Sequence, residues 1–446
     1  MQETFWNICL LLLGAEFVVC VLFYGSKREQ FDCFDPFYWG SAIYFVIMVF
    51  APFTWVLQGQ THWHGFVVLD NLPRATLFFG MAYLAFTIGC LAERKKKEKD
   101  RLVPSSPNLK DNPKLQESVR FLSWLFFVLG FLMSLAYLYY RGRSLLSALT
   151  LGQLGSFSED LSANSSFWFL NQGTRILMSA GLLLLVFEKK KPWLAKLAYA
   201  VVFLLVLSSG QRNQLMGVVL TPIIYWFLTK KRRPKVHTIL LVCACFVVVL
   251  GYVGLWRSSF FGDGDLALQG WDDVWSSFMV NIEVFFPYYT MLSTVPEAFP
   301  HQFGLSYLYT FIQFIPRFLW PGKPVSAATN VTIAMFGETW AGTGPAFPNF
   351  GEMYLDFGLL GMIIGMLIFG KLCQMMYRKV TEKTDATMSF ISFSLFLPYL
   401  FQYITRGHFP SVMTEVVFLW GPIWAIRFFL KLKRNSNRVG VKKGRA

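Results

Sequence analysis

Residues 189–233 read KKKPWLAKLAYAVVFLLVLSSGQRNQLMGVVLTPIIYWFLTKKRR. Two apolar runs, Leu194–Ser209 and Leu215–Leu228, flank the polar turn Ser208-Ser-Gly-Gln-Arg-Asn-Gln214, and a basic cluster closes each far end. As helices, both runs approach the length needed to cross a hydrocarbon core of about 30 Å. Lysine-rich flanks stay on the cytoplasmic side of a membrane, so the turn between the runs is translocated. The segment reads as a helical hairpin in a bilayer with its tight turn outside.

The same pattern extends over the whole chain. Its 446 residues are 54% hydrophobic and 18% aromatic with only 15% charged, a membrane composition. Further spans fall near Phe5–Tyr24, Phe37–Leu57, Ala75–Leu91, Val119–Tyr140, Phe167–Phe187, Thr238–Trp256, Met353–Leu372, Ala386–Tyr403 and Val412–Leu430. The fold expected is an all-α polytopic membrane protein with eleven transmembrane helices in one integral membrane domain, residues 1–446. Basic clusters at Glu93–Arg101, Lys189–Lys191, Lys230–Arg233, Lys371–Lys383 and the 431–446 tail share one side if the spans alternate. That side is cytoplasmic, with the carboxyl terminus on it and the amino terminus outside. The net charge of +15 is therefore a topogenic signal, and no nucleic-acid partner is needed to explain it. The first apolar run lacks a basic leader and reads as a span, not a cleaved signal.

Two connections stand out. Residues 92–118 form a charged cytoplasmic linker containing Pro104-Ser-Ser-Pro107. Residues 257–351 form a long outer loop whose apolar, proline-interrupted stretches fit interfacial or re-entrant helices. The other reading of that loop is two more spans, for a total of thirteen.

Seven cysteines lie in spans or on the inner side, so no outer disulfide framework is expected. No nucleotide fingerprint, phosphate loop or zinc motif is present, and Asp263-Gly-Asp265 is too slight for a metal site. No metal and no cofactor are implied. A substrate for such a chain must arrive already activated, which on the outer face points to a lipid pyrophosphate.

The outer side carries nine basic residues, and eight are arginine: Arg74, Arg141, Arg143, Arg175, Arg212, Arg257, Arg317 and Arg406, beside Lys323. Arginine offers a permanent charge and a planar fork of donors suited to phosphate. Arg212 sits in the tight turn just before a helix, where backbone N–H groups also favour anions. The competing reading is an interface arginine paired with lipid head groups or acids. Arg257 follows Trp256 at a span end, and Arg406 lies in the turn Thr405-Arg-Gly-His-Phe-Pro410. Each suits either a ligand or a snorkelling role. Arg175, inside its span, must face a polar cavity or pair with an intramembrane acid such as Glu16 or Glu415. Glu283, in an aromatic stretch, is a candidate general base or a salt-bridge partner of these arginines. His408, beside Arg406, is the one histidine placed near a site.

The run Phe314-Ile-Pro-Arg-Phe-Leu-Trp-Pro-Gly-Lys-Pro324 resembles the outer-loop signature of Wzy-type oligosaccharide repeat-unit polymerases. Gly210-Gln-Arg-Asn213 looks like that family's Gly-x-Arg turn, and Arg257, Glu283 and Arg406 fall where the family places charged residues. The resemblance covers about residues 200–425. Arg317 departs from it, since that position need not be basic in relatives. The resemblance implies a glycosyltransferase of the bacterial cytoplasmic membrane. It would join undecaprenyl-pyrophosphate-linked donor and acceptor glycans on the outer face, alongside a flippase and a chain-length regulator. Arg212, Arg257, Arg406 and Arg175 would hold the pyrophosphate, with Glu283 assisting the acceptor hydroxyl. The alternatives are an O-antigen ligase using the same donor, or a flippase or transporter of lipid-linked glycans.

Overall fold

In hydrocarbon every backbone polar group must be satisfied within its own segment, so apolar runs of this length become helices. The computed structural model describes residues 2–28, 31–63, 66–92, 113–140, 168–208, 212–230, parts of 232–251, 271–313, 315, 319–338, 347–381 and 387–443. The first helices are α1 (Gln2–Ser26), α2 (Pro36–Phe45), α3 (Ala51–Leu57), α4 (Leu72–Ala92) and α5 (Pro113–Tyr140). They are followed by α6 (Gly173–Phe187), α7 (Pro192–Ser208) and α8 (Arg212–Thr229). Four short helices come next: α9 (Trp271–Ile282), α10 (Phe285–Thr294), α11 (Leu305–Ile312) and α12 (Ala327–Phe336). Three long ones close the chain: α13 (Asn349–Thr381), α14 (Thr387–Thr405) and α15 (Phe409–Lys443). A two-stranded antiparallel hairpin pairs His62–Trp63 with Phe66–Val67.

Among the described residues, eight helical segments are long and apolar enough to cross a membrane. At roughly 1.5 Å per residue, the 25 residues of α1 exceed a core of about 30 Å. The shorter apolar helices α7 and α8, at 17 and 18 residues, occupy two more of the expected spans. The expected span Thr238–Trp256 lies largely outside the described residues. One expected span, Phe37–Leu57, is not a uniform helix: a π turn at Val46–Phe50 separates α2 from α3, just ahead of Pro52. Proline has no N–H to donate, and the wider turn absorbs that gap.

Helices run past three of the expected boundaries. Helix α5 starts at Pro113, so the end of the expected 92–118 linker is helical; proline suits a first helical turn. Helix α13 takes the last residues of the expected 257–351 loop, and α15 carries the 431–446 tail as helix to Lys443. Within that loop the longest described helix, α9, has 12 residues, about 18 Å at helical rise. As described, each of the four is shorter than a hydrocarbon core of about 30 Å. Their apolar character goes two ways: α10 is almost wholly buried, while α11 exposes Leu305, Leu308 and Phe311.

Two large cores organise the bundle. One packs α1–α4 against α9, α10, α12 and α13; the other packs α5–α8 against α14 and α15. Polar staples mark one end. There Asp35 caps α2 and accepts from Tyr24 Oη at 2.8 Å and Gln374 Nε2 at 2.5 Å, while Arg28 donates to Tyr24 and Gln374. Arg233 pairs with Asp32 at 2.6 Å, Lys190 with Glu117 at 3.1 Å, and Lys433 donates to Ser118. Basic segments distant in sequence thus share one end of the molecule.

Candidate functional site

The opposite end carries the turn between α14 and α15. Arg406 N donates to Gln402 O at 2.8 Å, closing α14, and leaves its side chain exposed. Gly407 N donates to Phe347 O at 2.8 Å. A Cβ at Gly407 would lie 2.1 Å from the Asn349 Cα, so only glycine lets the turn seat against α13. His408 precedes the first turn of α15, where its Nδ1 lies 2.9 Å from Ser411 Oγ. Burial pushes its imidazole down to about 4, so it is neutral at physiological pH and adds no cation beside Arg406.

Two carboxylates on the start of α13 hold this region, and the sequence reading missed both. Glu352 is 4% exposed and its Oε2 accepts from Phe409 N, the first residue of α15. Four residues on, fully buried Asp356 accepts from Gly304 N at 3.0 Å and Ser306 N at 3.3 Å, at the start of α11. Each acid therefore satisfies N–H groups that a helix start leaves unpaired. Helix α13 breaks just beyond them at Gly358, whose φ of 65° favours glycine. Gln313 Nε2 completes the unit by donating to Pro410 O and, at 2.5 Å, to Thr414 Oγ1.

Arg175 lies in the first turn of α6 and is buried. Its Nη2 donates to Glu415 Oε1 at 2.6 Å, and Glu415 Oε2 accepts from Tyr399 Oη at 3.1 Å and from Gln402 Nε2. Gln402 sits one helical turn before Arg406, so the ion pair adjoins the Arg406 turn. Next to Arg175, Thr174 donates to Gln214 Oε1 at 3.2 Å, which brings the start of α8, where Arg212 stands, to the same place. The Arg212 side chain and all of Arg257 lie outside the described residues, as do Arg141, Arg143 and Arg317. Three of the four proposed pyrophosphate-binding positions thus converge by their helix ends.

Glu283 comes from different elements, in the link between α9 and α10. Its Oε1 accepts from Trp55 Nε1 at 2.8 Å. Burial raises its carboxyl above the usual carboxylate range, against the lowering effect of that hydrogen bond. Among the described residues it forms no ion pair with an arginine. Around it Trp63 stacks on Phe286 with centroids 4.2 Å apart, and Trp55 lies nearly parallel to Phe286. If Glu283 is a general base, Trp55→Phe removes a lowering contact, and the acidic limb of the kcat/KM–pH profile moves to higher pH. An unmoved limb would take that role from Glu283.

Two other basic residues of the expected outer set are staples. Arg74 donates to Leu292 O at 3.0 Å and Tyr354 Oη at 3.4 Å, joining α4 to α10 and α13. Buried Lys323 donates to Gln313 O and Ile315 O, both at 3.0 Å, folding the Trp320–Pro324 run back on the end of α11. Among the described residues no group of three or more His, Cys, Asp or Glu could hold a metal ion.

The family model for O-antigen polysaccharide polymerase Wzy matches residues 4–435, nearly the whole chain. Neither the curated proteins nor the solved structures include a match.

Proposed function

The chain belongs to the Wzy family of O-antigen polysaccharide polymerases, and on that premise we propose how its residues carry out the reaction. The donor is a glycan on undecaprenyl pyrophosphate, and the acceptor is a hydroxyl of a second lipid-linked repeat unit. The acceptor oxygen attacks the donor's C1 as the bond from C1 to the pyrophosphate oxygen breaks. The acceptor proton leaves to a carboxylate, for which Glu283 is the candidate, and the electron pair of the broken bond stays on the pyrophosphate. Negative charge grows there, and arginines already fixed in place stabilise it most in the transition state.

The observation that carries this reading is the meeting of the Arg406 turn, the start of α6 with Arg175, and the start of α8 with Arg212. Arg257 joins them in the proposal. Glu352 is a positioning residue here: it holds the amino end of α15, and with it the turn that presents Arg406 and His408. The basic end of the bundle is assigned to the cytoplasm. The arginine site then faces outward, with the amino terminus outside and the carboxyl terminus inside.

Deleting the gene from its native cell tests the assignment. The expected result is surface glycan carrying a single repeat unit, with long chains restored by the intact protein. Polymer still assembled on its lipid carrier but not passed to its final acceptor would indicate a ligase instead. Loss of even the single unit from the outer face would indicate a transporter.

A further inference from the structure

At the basic end, away from the arginine site, a cavity of about 310 Å³ opens where four helix ends meet. The start of α5 contributes Gln116, and the start of α14 contributes Thr387. Lys189 enters just beyond the end of α6, and Lys230 just beyond the end of α8. Beneath these polar groups, Val186, Phe187 and Tyr225 supply apolar wall.

The charges around the cavity are unevenly paired. Glu117 pairs with Lys190 and Arg120, both at 3.1 Å. Glu188 accepts from Trp124 Nε1 and Lys191 N and lies 3.8 Å from Arg120. Its carboxyl stays below the usual range, although burial opposes this, because those hydrogen bonds and Arg120 outweigh it. The nearby acids are therefore committed to other groups. Among the described residues, neither Lys189 nor Lys230 has an acidic partner. A lysine at a helix carboxyl end also complements the helix dipole, but that effect does not require two lysines from different helices to share one cavity.

We propose that this cavity binds the phosphodiester head group of an anionic phospholipid from the leaflet at the basic end. Two ammonium groups face the phosphate, the Thr387 hydroxyl adds a donor, and the apolar wall takes the glycerol and first methylenes. Basic pockets between membrane helices on the cytoplasmic side are suited to such head groups. The volume is at the small end for ligand cavities, right for a head group and too small for an oligosaccharide. A bound lipid would tie together α5, α6, α8 and α14, the last two of which lead to Arg212 and Arg406 at the far end.

The test uses the full chain in nanodiscs of phosphatidylcholine, alone or with phosphatidylglycerol, at constant ionic strength. Thermal unfolding and native mass spectrometry are the readouts. Phosphatidylglycerol should raise the unfolding midpoint by several degrees and remain bound in the spectrometer. Both effects should vanish in Lys189→Gln/Lys230→Gln and persist in Lys190→Gln/Lys191→Gln, which removes equal charge outside the cavity. Equal losses in the two variants would mean general surface attraction and would overturn the site. Equal stabilisation by inorganic phosphate in phosphatidylcholine discs would reassign it to a free anion, and no stabilisation of the unaltered protein would remove it.

Discussion

Arg406→Lys should lower turnover by about 10²–10³-fold, the scale seen when one preorganised oxyanion contact is lost. Lysine keeps the charge but loses the fork that can meet two phosphate oxygens at once. Glu352→Leu should come close to the same loss without touching substrate, because Phe409 N would lose its acceptor and the turn its anchor. Glu352→Gln keeps an acceptor oxygen and should stay within a few-fold of the unaltered enzyme. The decisive comparison is a double-mutant cycle in a polymerisation assay. If Glu352 acts through Arg406, Glu352→Leu costs little more once Arg406 is alanine. Additive losses would make Glu352 an independent structural residue. A neutral Arg406→Ala would instead remove Arg406 from the pyrophosphate site, so the two ideas fail separately. Arg212→Lys should behave as Arg406→Lys does.

The second large effect is on stability. Removing one partner of a buried ion pair costs about 3–5 kcal/mol, because the other charge stays buried without compensation. Arg175→Met leaves Glu415 with Tyr399 and Gln402, and Glu415→Leu takes the carboxylate away from buried Arg175. Each single variant should unfold at markedly lower temperature in detergent. Arg175→Met/Glu415→Leu should recover most of the loss, since apolar replacements of a whole pair are often tolerated. The recovered protein then separates two roles for Arg175. Folded but inactive protein fits an arginine that also serves the pyrophosphate; folded and active protein limits Arg175 to holding α6 against α15.

The bundle was legible because hydrocarbon leaves a backbone few choices, so apolar length alone located α1, α4 and α6. Helix ends were less legible where a helix continues into water, as α5 does back to Pro113 and α15 does out to Lys443. At the site, the Arg406 turn could be read locally from Thr405-Arg-Gly-His408, but its supports could not. Glu352 reaches Phe409 across 57 residues and Asp356 reaches Gly304 across 52. One signal was available: two acids four apart at the start of an apolar span are costly there and imply buried partners. Arg175 shows the same limit. The sequence offered Glu16 and Glu415 as partners, and only the packing of α6 on α15 selects Glu415 across 240 residues. The charge state of His408 likewise depends on burial, which adjacency to Arg406 does not reveal.

The central claim is that this chain lengthens lipid-linked glycans by transfer off a pyrophosphate carrier at an arginine site. Purified protein in liposomes, given lipid-linked repeat units, tests it most directly if product length and free undecaprenyl pyrophosphate are measured together. The expected result is a ladder of products with one carrier released per linkage formed, both abolished in Arg406→Ala. Movement of intact lipid-linked units across the bilayer, with no ladder and no carrier released, would contradict it.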